Sequence, residues 1–123
     1  MSHKILIVDD DRLNTALVKF GLAEQYYEVR EAADGRKALE IIRSWTPDLI
    51  VLDVLMPNMN GYEFIGELKA MQGADLTPVI MLTANETMED MFKLEGVREY
   101  FVKPVDLKSL LASIKKYLGE NPI

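Results

Sequence analysis

The stretch Leu49-Ile50-Val51-Leu52-Asp53 decides the fold, because four consecutive apolar residues end on a single acid. The same form, an apolar run that ends on a polar residue, recurs three times: Ile5-Leu6-Ile7-Val8 before Asp9, Val79-Ile80-Met81-Leu82 before Thr83, and Tyr100-Phe101-Val102 before Lys103. A weaker strand is predicted over 28–33. None of the runs alternates apolar with polar residues, which is typical of parallel strands covered on both faces.

Segments with helical spacing separate these runs. Apolar residues recur at intervals of three and four in four of them: Leu13, Ala16, Leu17 and Phe20; Ala38, Ile41, Ile42 and Trp45; Phe64, Leu68 and Met71; Leu107, Leu110, Leu111 and Ile114. A shorter helix, fourth in chain order, is predicted over 88–95. Strand and helix thus alternate five times, which predicts an α/β protein with a parallel five-stranded sheet, right-handed crossovers and helices on both faces.

The boundaries of these helices carry their own signals. Asp11 is predicted to cap the first helix or to lie in its first turn. Asn60 with Glu63 predicts a capping pair at the start of the third helix. Gly73 and Gly119 stand where the third and fifth helices should end.

Composition excludes several classes of function. The 123 residues, 49% hydrophobic and 28% charged, predict one globular domain over 1–123. A formal net charge of −6 disfavours direct binding to nucleic acid or to an anionic membrane. The absence of cysteine excludes disulfides and thiol chemistry. No apolar run approaches the roughly 18 residues of a membrane span, and no signal peptide is apparent, so we expect a cytoplasmic protein.

The polar residues at the strand ends predict one site. In an open parallel sheet, ligands bind beyond the carboxyl ends of the strands, where Asp9, Asp10, Asp53, Thr83 and Lys103 should lie. Crowded carboxylates resist ionisation unless a positive charge joins them, and Mg²⁺ prefers oxygen ligands. A carboxylate beside such an ion can act as a nucleophile and form an acyl phosphate. The ion, the ammonium and the hydroxyl would then stabilise the phosphoryl oxygens.

Taken together, these motifs resemble one family. The pattern Val8-Asp9-Asp10-Asp11, Asp53-x-x-Met56-Pro57-x-Met59-x-Gly61, Thr83-Ala84 and Lys103-Pro104 resembles the CheY-like receiver domain of two-component response regulators. The resemblance covers about 4–118. It implies a doubly wound, flavodoxin-like sheet with strand order 2-1-3-4-5.

The resemblance also implies the metal site. Asp53 would be the phosphoacceptor and would share Mg²⁺, or Mn²⁺ in its place, with neighbouring groups. Asp10 would bind the ion directly, and Asp9 mainly through water. Leu55, two residues after Asp53, would offer its backbone carbonyl.

Other positions match the residues that respond to phosphate in this family. Thr83 would donate to a phosphoryl oxygen, with the Ala84 amide nearby. Lys103 would pair first with Asp53 and then with the phosphoryl group, aimed by a cis bond to Pro104. Tyr100 would turn inward on activation.

The implied function is a signalling switch. A sensor histidine kinase or a histidine phosphotransfer protein would supply the phosphoryl group. The face formed by the fourth helix, the fifth strand and the fifth helix would then change its protein partner or form a phosphorylation-dependent homodimer. The domain would catalyse only its own phosphorylation and dephosphorylation, and would not itself bind nucleic acid or membrane.

Three departures and three alternatives accompany this interpretation. Asn60 replaces an acid that is frequent in the family. Leu55 puts an apolar side chain beside the acceptor and is expected to slow phosphate loss. The interval from Thr83 to Lys103 is about two residues shorter than is usual in the family.

One alternative function is that of a receiver that docks partners without phosphorylation. A haloacid-dehalogenase-type phosphohydrolase would need a second acid at position 55. A flavin carrier would need a phosphate-binding loop where Asp9 and Asp10 stand.

Overall fold

A computed structural model of the protein describes residues 2–54, 56, 58–84 and 96–119. Five strands form one sheet, in which every pair of neighbours is parallel. The strands are β1 (Lys4–Val8), β2 (Glu28–Ala32), β3 (Leu49–Asp53), β4 (Val79–Thr83) and β5 (Val97–Val102). Their order across the sheet is β2-β1-β3-β4-β5, which confirms the predicted architecture.

Four helices lie within the described ranges: three of them connect successive strands, and the fourth follows β5. They are α1 (Arg12–Glu24), α2 (Gly35–Ser44), α3 (Gly61–Gln72) and α4 (Leu107–Leu118), so α4 is the fifth helix of the sequence-based prediction. The helix predicted over 88–95 lies outside the described residues. No helix within these ranges combines the length and the apolar content that a bilayer crossing requires.

The sheet separates two apolar layers. Successive residues of the central strands, such as Val51 and Leu52 of β3, point to opposite faces. One layer packs these strands against α2 and α3, and the other packs them against α1 and α4. All residues of β1, β3 and β4 except Lys4 are buried, which explains why their sequences are continuously apolar.

The apolar spacing of α1 predicts the helix but not the face that it buries. Leu13, Leu17 and Phe20, called the α1 stripe below, are 82%, 48% and 62% exposed. The buried residues of α1 are Thr15, Val18, Gly21 and Leu22. This face is selected because α1 packs closely on α4: a β-carbon at Gly21 would lie 2.7 Å from a methyl carbon of Leu107.

The predicted helix ends are confirmed. Asp11 caps α1, accepting hydrogen bonds from the backbone N–H groups of Leu13 at 3.0 Å and Asn14 at 3.2 Å. Asn60 and Glu63 form a reciprocal capping box at the start of α3. The helices α3 and α4 end at Gly73 and Gly119, whose φ angles of 64° and 75° favour glycine.

Candidate functional site

Three carboxylates converge where neighbouring strands end. Asp9 and Asp10 follow β1, and Asp53 is the last residue of β3, the strand that pairs with β1. One carboxylate oxygen from each lies within 4.8 Å of the other two. Asp9 and Asp53 are buried, and Asp10 is exposed. The predicted acid cluster therefore forms, with one member open to solvent.

The ammonium group of Lys103 lies between two of these acids. Its Nζ is 3.2 Å from Asp9 Oδ2 and 3.4 Å from Asp53 Oδ2. The backbone brings it there, because Lys103 N–H donates to Thr83 O at 2.7 Å and so continues the pairing of β5 with β4. The Lys103–Pro104 peptide bond is cis, as the resemblance implied.

Charge in this cluster is only partly balanced. The pKa of Asp53 is raised from its ordinary 3.8 to about 6, first because the group is buried. The charge of Asp9 also raises this pKa, by more than the charge of Lys103 lowers it. Burial lowers the pKa of Lys103, but the charges of Asp53 and Asp9 outweigh it and leave that pKa above its ordinary 10.5. One ammonium therefore does not neutralise the cluster.

This imbalance fits a divalent cation. Mg²⁺ and Mn²⁺ favour carboxylate oxygens and keep several waters, and the exposed Asp10 leaves one side of the cluster open for them. The donor set is acidic and rich in oxygen, with neither histidine nor cysteine among the clustered residues. Leu55, whose carbonyl the resemblance adds to the set, lies outside the described residues.

Thr83 ends the strand next to β3. It is 2% exposed, and Ala84 after it is exposed. In the register of the sheet Asp53 pairs with Leu82, so Thr83 lies one residue beyond the level of the acid. Tyr100 is half-buried on β5 beside Met81 and packs against the apolar layer of α2 and α3.

The start of α3 explains why the sequence pattern has a glycine at position 61. The N–H of Gly61 donates to Val54 O at 2.8 Å, which holds the start of α3 against the end of β3. A β-carbon at Gly61 would lie 3.1 Å from Val54 Cα and 3.3 Å from Asp53 O. These contacts are tighter than a β-carbon normally makes, so a side chain here would push on the backbone that carries the acid.

Asn14 contacts the site although the sequence did not indicate it. Its side-chain amide donates to Asp9 Oδ2 at 2.6 Å, and the N–H of Asp11 donates to Asp9 Oδ1 at 2.9 Å. An asparagine five residues after an acid is no recognisable motif. Only the position at which α1 begins brings the two side chains together.

Comparison with known proteins agrees with this geometry. A sequence model of the family described as response regulator receiver domain matches residues 5–115. The chain belongs to this family. Its fold is shared with a solved chemotaxis protein, CheY4 of Vibrio cholerae, with a TM-score of 0.88 and 34% identity over 96% of this chain and all of that one.

A second solved structure bears on the metal. The receiver domain of the sensor histidine kinase PA1611 from Pseudomonas aeruginosa PAO1 has a magnesium ion coordinated in its active-site cleft. It is 27% identical to this chain, with a TM-score of 0.85, and the match covers 97% of this chain and 99% of that one.

Curated relatives are longer than this receiver domain. Response regulator ArlR of Staphylococcus saprophyticus is 37% identical over 97% of this chain and 54% of its own length. A probable cyclic di-GMP phosphodiesterase of Vibrio cholerae is 41% identical over 93% of this chain, but only 26% of its own length is covered. The activity in that name therefore does not pass to this chain. Family membership also sets aside the phosphohydrolase and the flavin carrier.

Proposed function

We propose that this receiver domain is a phosphorylation-activated switch of a two-component system, with Asp53 as the phosphoacceptor. A sensor histidine kinase or a histidine phosphotransfer protein supplies the phosphoryl group. The observation that carries the proposal is the buried Asp53 carboxylate at the end of β3, with Lys103 Nζ 3.4 Å away and Asp9 and Asp10 beside it.

The transfer needs a nucleophile and a positively charged environment. A carboxylate oxygen of Asp53 attacks phosphorus while the bond from phosphorus to the donor nitrogen breaks, and the donor imidazole leaves with the electron pair. Lys103 donates to the phosphoryl oxygens, which carry the charge of the transition state. Thr83 and the Ala84 amide complete the set of donors after transfer.

A bound Mg²⁺ supplies the positive charge that Lys103 alone does not. Asp10 and Asp53 would hold it directly, Asp9 mainly through water, and Leu55 through its backbone carbonyl.

Phosphorylation shifts a conformational equilibrium. The new dianion at Asp53 attracts the Thr83 hydroxyl and Lys103, and Tyr100 turns inward as the end of β4 moves. The output face comprises the helix predicted over 88–95, β5 and α4, and it binds a downstream protein or a second phosphorylated copy. Phosphate thereby selects a state that the free domain already samples.

The α1 stripe is the surface we propose for the phosphodonor. It begins at Leu13, directly after the Asp9–Asp11 loop, so a protein that presents phosphohistidine to Asp53 must pass beside it. The three apolar side chains are spaced by four and three residues along one helix, so their exposed parts lie on the same face of α1. A group of exposed apolar side chains on one face is typical of a docking surface.

We further propose that the domain catalyses no reaction on other molecules. The only phosphoryl group that it hydrolyses is the one on its own Asp53, which water attacks. This role requires the cytoplasmic compartment, where kinases of this class present phosphohistidine.

Acetyl phosphate with Mg²⁺ tests the proposal, because a small donor needs no partner surface. We expect intact-mass measurement to show the gain of one phosphoryl group, lost in Asp53→Asn and in EDTA. Asp75→Asn, the same change at an exposed acid away from the site, should be phosphorylated like the wild type. A wild type that gains no mass would instead support a receiver that docks partners without phosphorylation.

A further inference from the structure

Asp9 has donors on both carboxylate oxygens. Oδ1 accepts from the N–H of Asp11 at 2.9 Å, and Oδ2 accepts from the side-chain amide of Asn14 at 2.6 Å. Lys103 Nζ lies 3.2 Å from Oδ2 and 3.4 Å from Oδ1. The shortest contact to this buried carboxylate is therefore made by a neutral side chain and not by the cation.

Lys103 is shared between two acids. Its distances of 3.2 Å to Asp9 and 3.4 Å to Asp53 are nearly equal. Both distances exceed the roughly 2.7–2.9 Å that is usual for a charge-assisted hydrogen bond. An ammonium held in this way can move toward either carboxylate, and a phosphoryl group on Asp53 would draw it away from Asp9.

The start of α1 fixes the Asn14 amide. Asp11 accepts from the backbone N–H groups of Leu13 and Asn14, which sets the first turn of the helix. The side chain of Asn14 is half-buried and points to Asp9 from that turn. Because the amide carries no charge, a phosphoryl group at Asp53 does not attract it as it attracts Lys103.

We propose that Asn14 is a positioning residue for phosphotransfer. It holds the Asp9 carboxylate with a neutral hydrogen bond, so that Lys103 is free to follow the phosphoryl group onto Asp53. The inference rests on the proposed function. Without the amide, the departure of Lys103 would leave Oδ2 of a buried carboxylate with no donor from the protein, which is unfavourable. That penalty falls on the transfer step, when Lys103 moves, and not on binding of the donor.

A double-mutant cycle tests the role with acetyl phosphate and saturating Mg²⁺. The proteins are the wild type, Asn14→Leu, Asp9→Asn and the double variant. We expect Asn14→Leu to lower the saturated rate of Asp53 phosphorylation about tenfold or more, with less than about a twofold change in the half-saturating acetyl phosphate concentration. In Asp9→Asn, where no carboxylate remains to be held, Asn14→Leu should have no further effect.

Glu67→Leu is the matched control, since it places the same side chain on an exposed position of α3 and should keep the wild-type rate. An equal loss in both backgrounds, or no loss in either, overturns the positioning role. A wild type that is not phosphorylated rejects the proposed function instead. Urea unfolding of the same four proteins in EDTA then tests the hydrogen bond between Asn14 and Asp9. Non-additive changes in the free energy of unfolding would support this bond, and additive changes would overturn it.

Discussion

Asp53 carries a charge that the native protein accommodates poorly at neutral pH. Its pKa rises from 3.8 to about 6 mainly through burial, so the folded protein holds this proton more tightly than the unfolded chain does. The stabilising contribution of the protonated group is complete below the unfolded pKa and is lost as pH rises through about 6. Above that pH the ionised Asp53 destabilises the fold.

Asp53→Asn should therefore stabilise the metal-free protein near pH 8. The amide has the shape of the carboxyl group without its charge, and the shift in pKa corresponds to about 2–3 kcal/mol in the free energy of unfolding. Urea unfolding in EDTA measures the difference, which should shrink to a small value near pH 4, where both native proteins are neutral at this position. A variant less stable than the wild type at pH 8 would contradict this charge imbalance.

Two glycines of α3 should respond oppositely to alanine. At Gly61 a β-carbon would lie 3.1 Å from Val54 Cα, a backbone atom that cannot yield without moving the end of β3. At Gly66 the added carbon would have no atom within 4 Å apart from the adjoining backbone of its own helix. We expect Gly61→Ala to lower the free energy of unfolding by about 1–3 kcal/mol and Gly66→Ala to raise it by about 0.5–1 kcal/mol.

Urea unfolding of the two variants checks this pair, and Gly66→Ala serves as the control for helix propensity. Since Gly61 also fixes the backbone beside Asp53, Gly61→Ala should slow phosphorylation by acetyl phosphate while Gly66→Ala should not. Equal stabilisation by both substitutions would mean that α3 does not need the close approach to β3.

At the level of elements, α1 shows what an apolar pattern can and cannot predict. The spacing of three and four residues identifies a helix, because that period holds whichever face is buried. The buried face depends on the neighbour, and here it is set by the contact of Gly21 with Leu107 on α4. The sequence of α1 alone cannot predict that contact, so only the fold shows that the α1 stripe is exposed.

Phe20→Gln separates docking from stability on α1. Phe20 is 62% exposed, so the free energy of unfolding should change by less than about 0.5 kcal/mol. Transfer from a histidine kinase that phosphorylates the wild type should slow about tenfold, since an apolar anchor at an interface is worth more than 1 kcal/mol. Phosphorylation by acetyl phosphate should stay at the wild-type rate.

Leu22→Ala is the opposite case on the same helix. Leu22 is fully buried, and its truncation should cost about 2–5 kcal/mol in the free energy of unfolding.

One outcome would contradict the docking role of Phe20. If Phe20→Gln slowed transfer from the kinase and from acetyl phosphate equally, Phe20 would act on the site and not on the partner.

For the whole molecule, the ends of the parallel strands predicted most of the site. Asp9, Asp53 and Lys103 meet because parallel strands bring their carboxyl ends to one edge. The sequence could not predict how Lys103 is divided between the two acids, since that depends on distances of a few tenths of an ångström. The contact of Asn14 was also beyond reach, because it needs the exact start of α1.

Binding of Mg²⁺ should stabilise the whole domain, because the ion relieves the repulsion among acids that belong to different strands. At about a hundredfold its dissociation constant, Mg²⁺ should raise the free energy of unfolding by about 2.7 kcal/mol near pH 8. This increase in the free energy of unfolding should shrink near pH 5, where protons compete for Asp53, whose pKa is about 6.

Two variants test whether Mg²⁺ stabilises the protein through the acid cluster. Asp10→Asn removes an exposed acid of the cluster and should abolish most of the gain in stability. Asp75→Asn makes the same change in charge at an exposed position outside the cluster and should keep the full gain. Thermal unfolding with and without Mg²⁺ measures all three proteins, and equal gains in the two variants would show that the ion acts through net charge and not at this site.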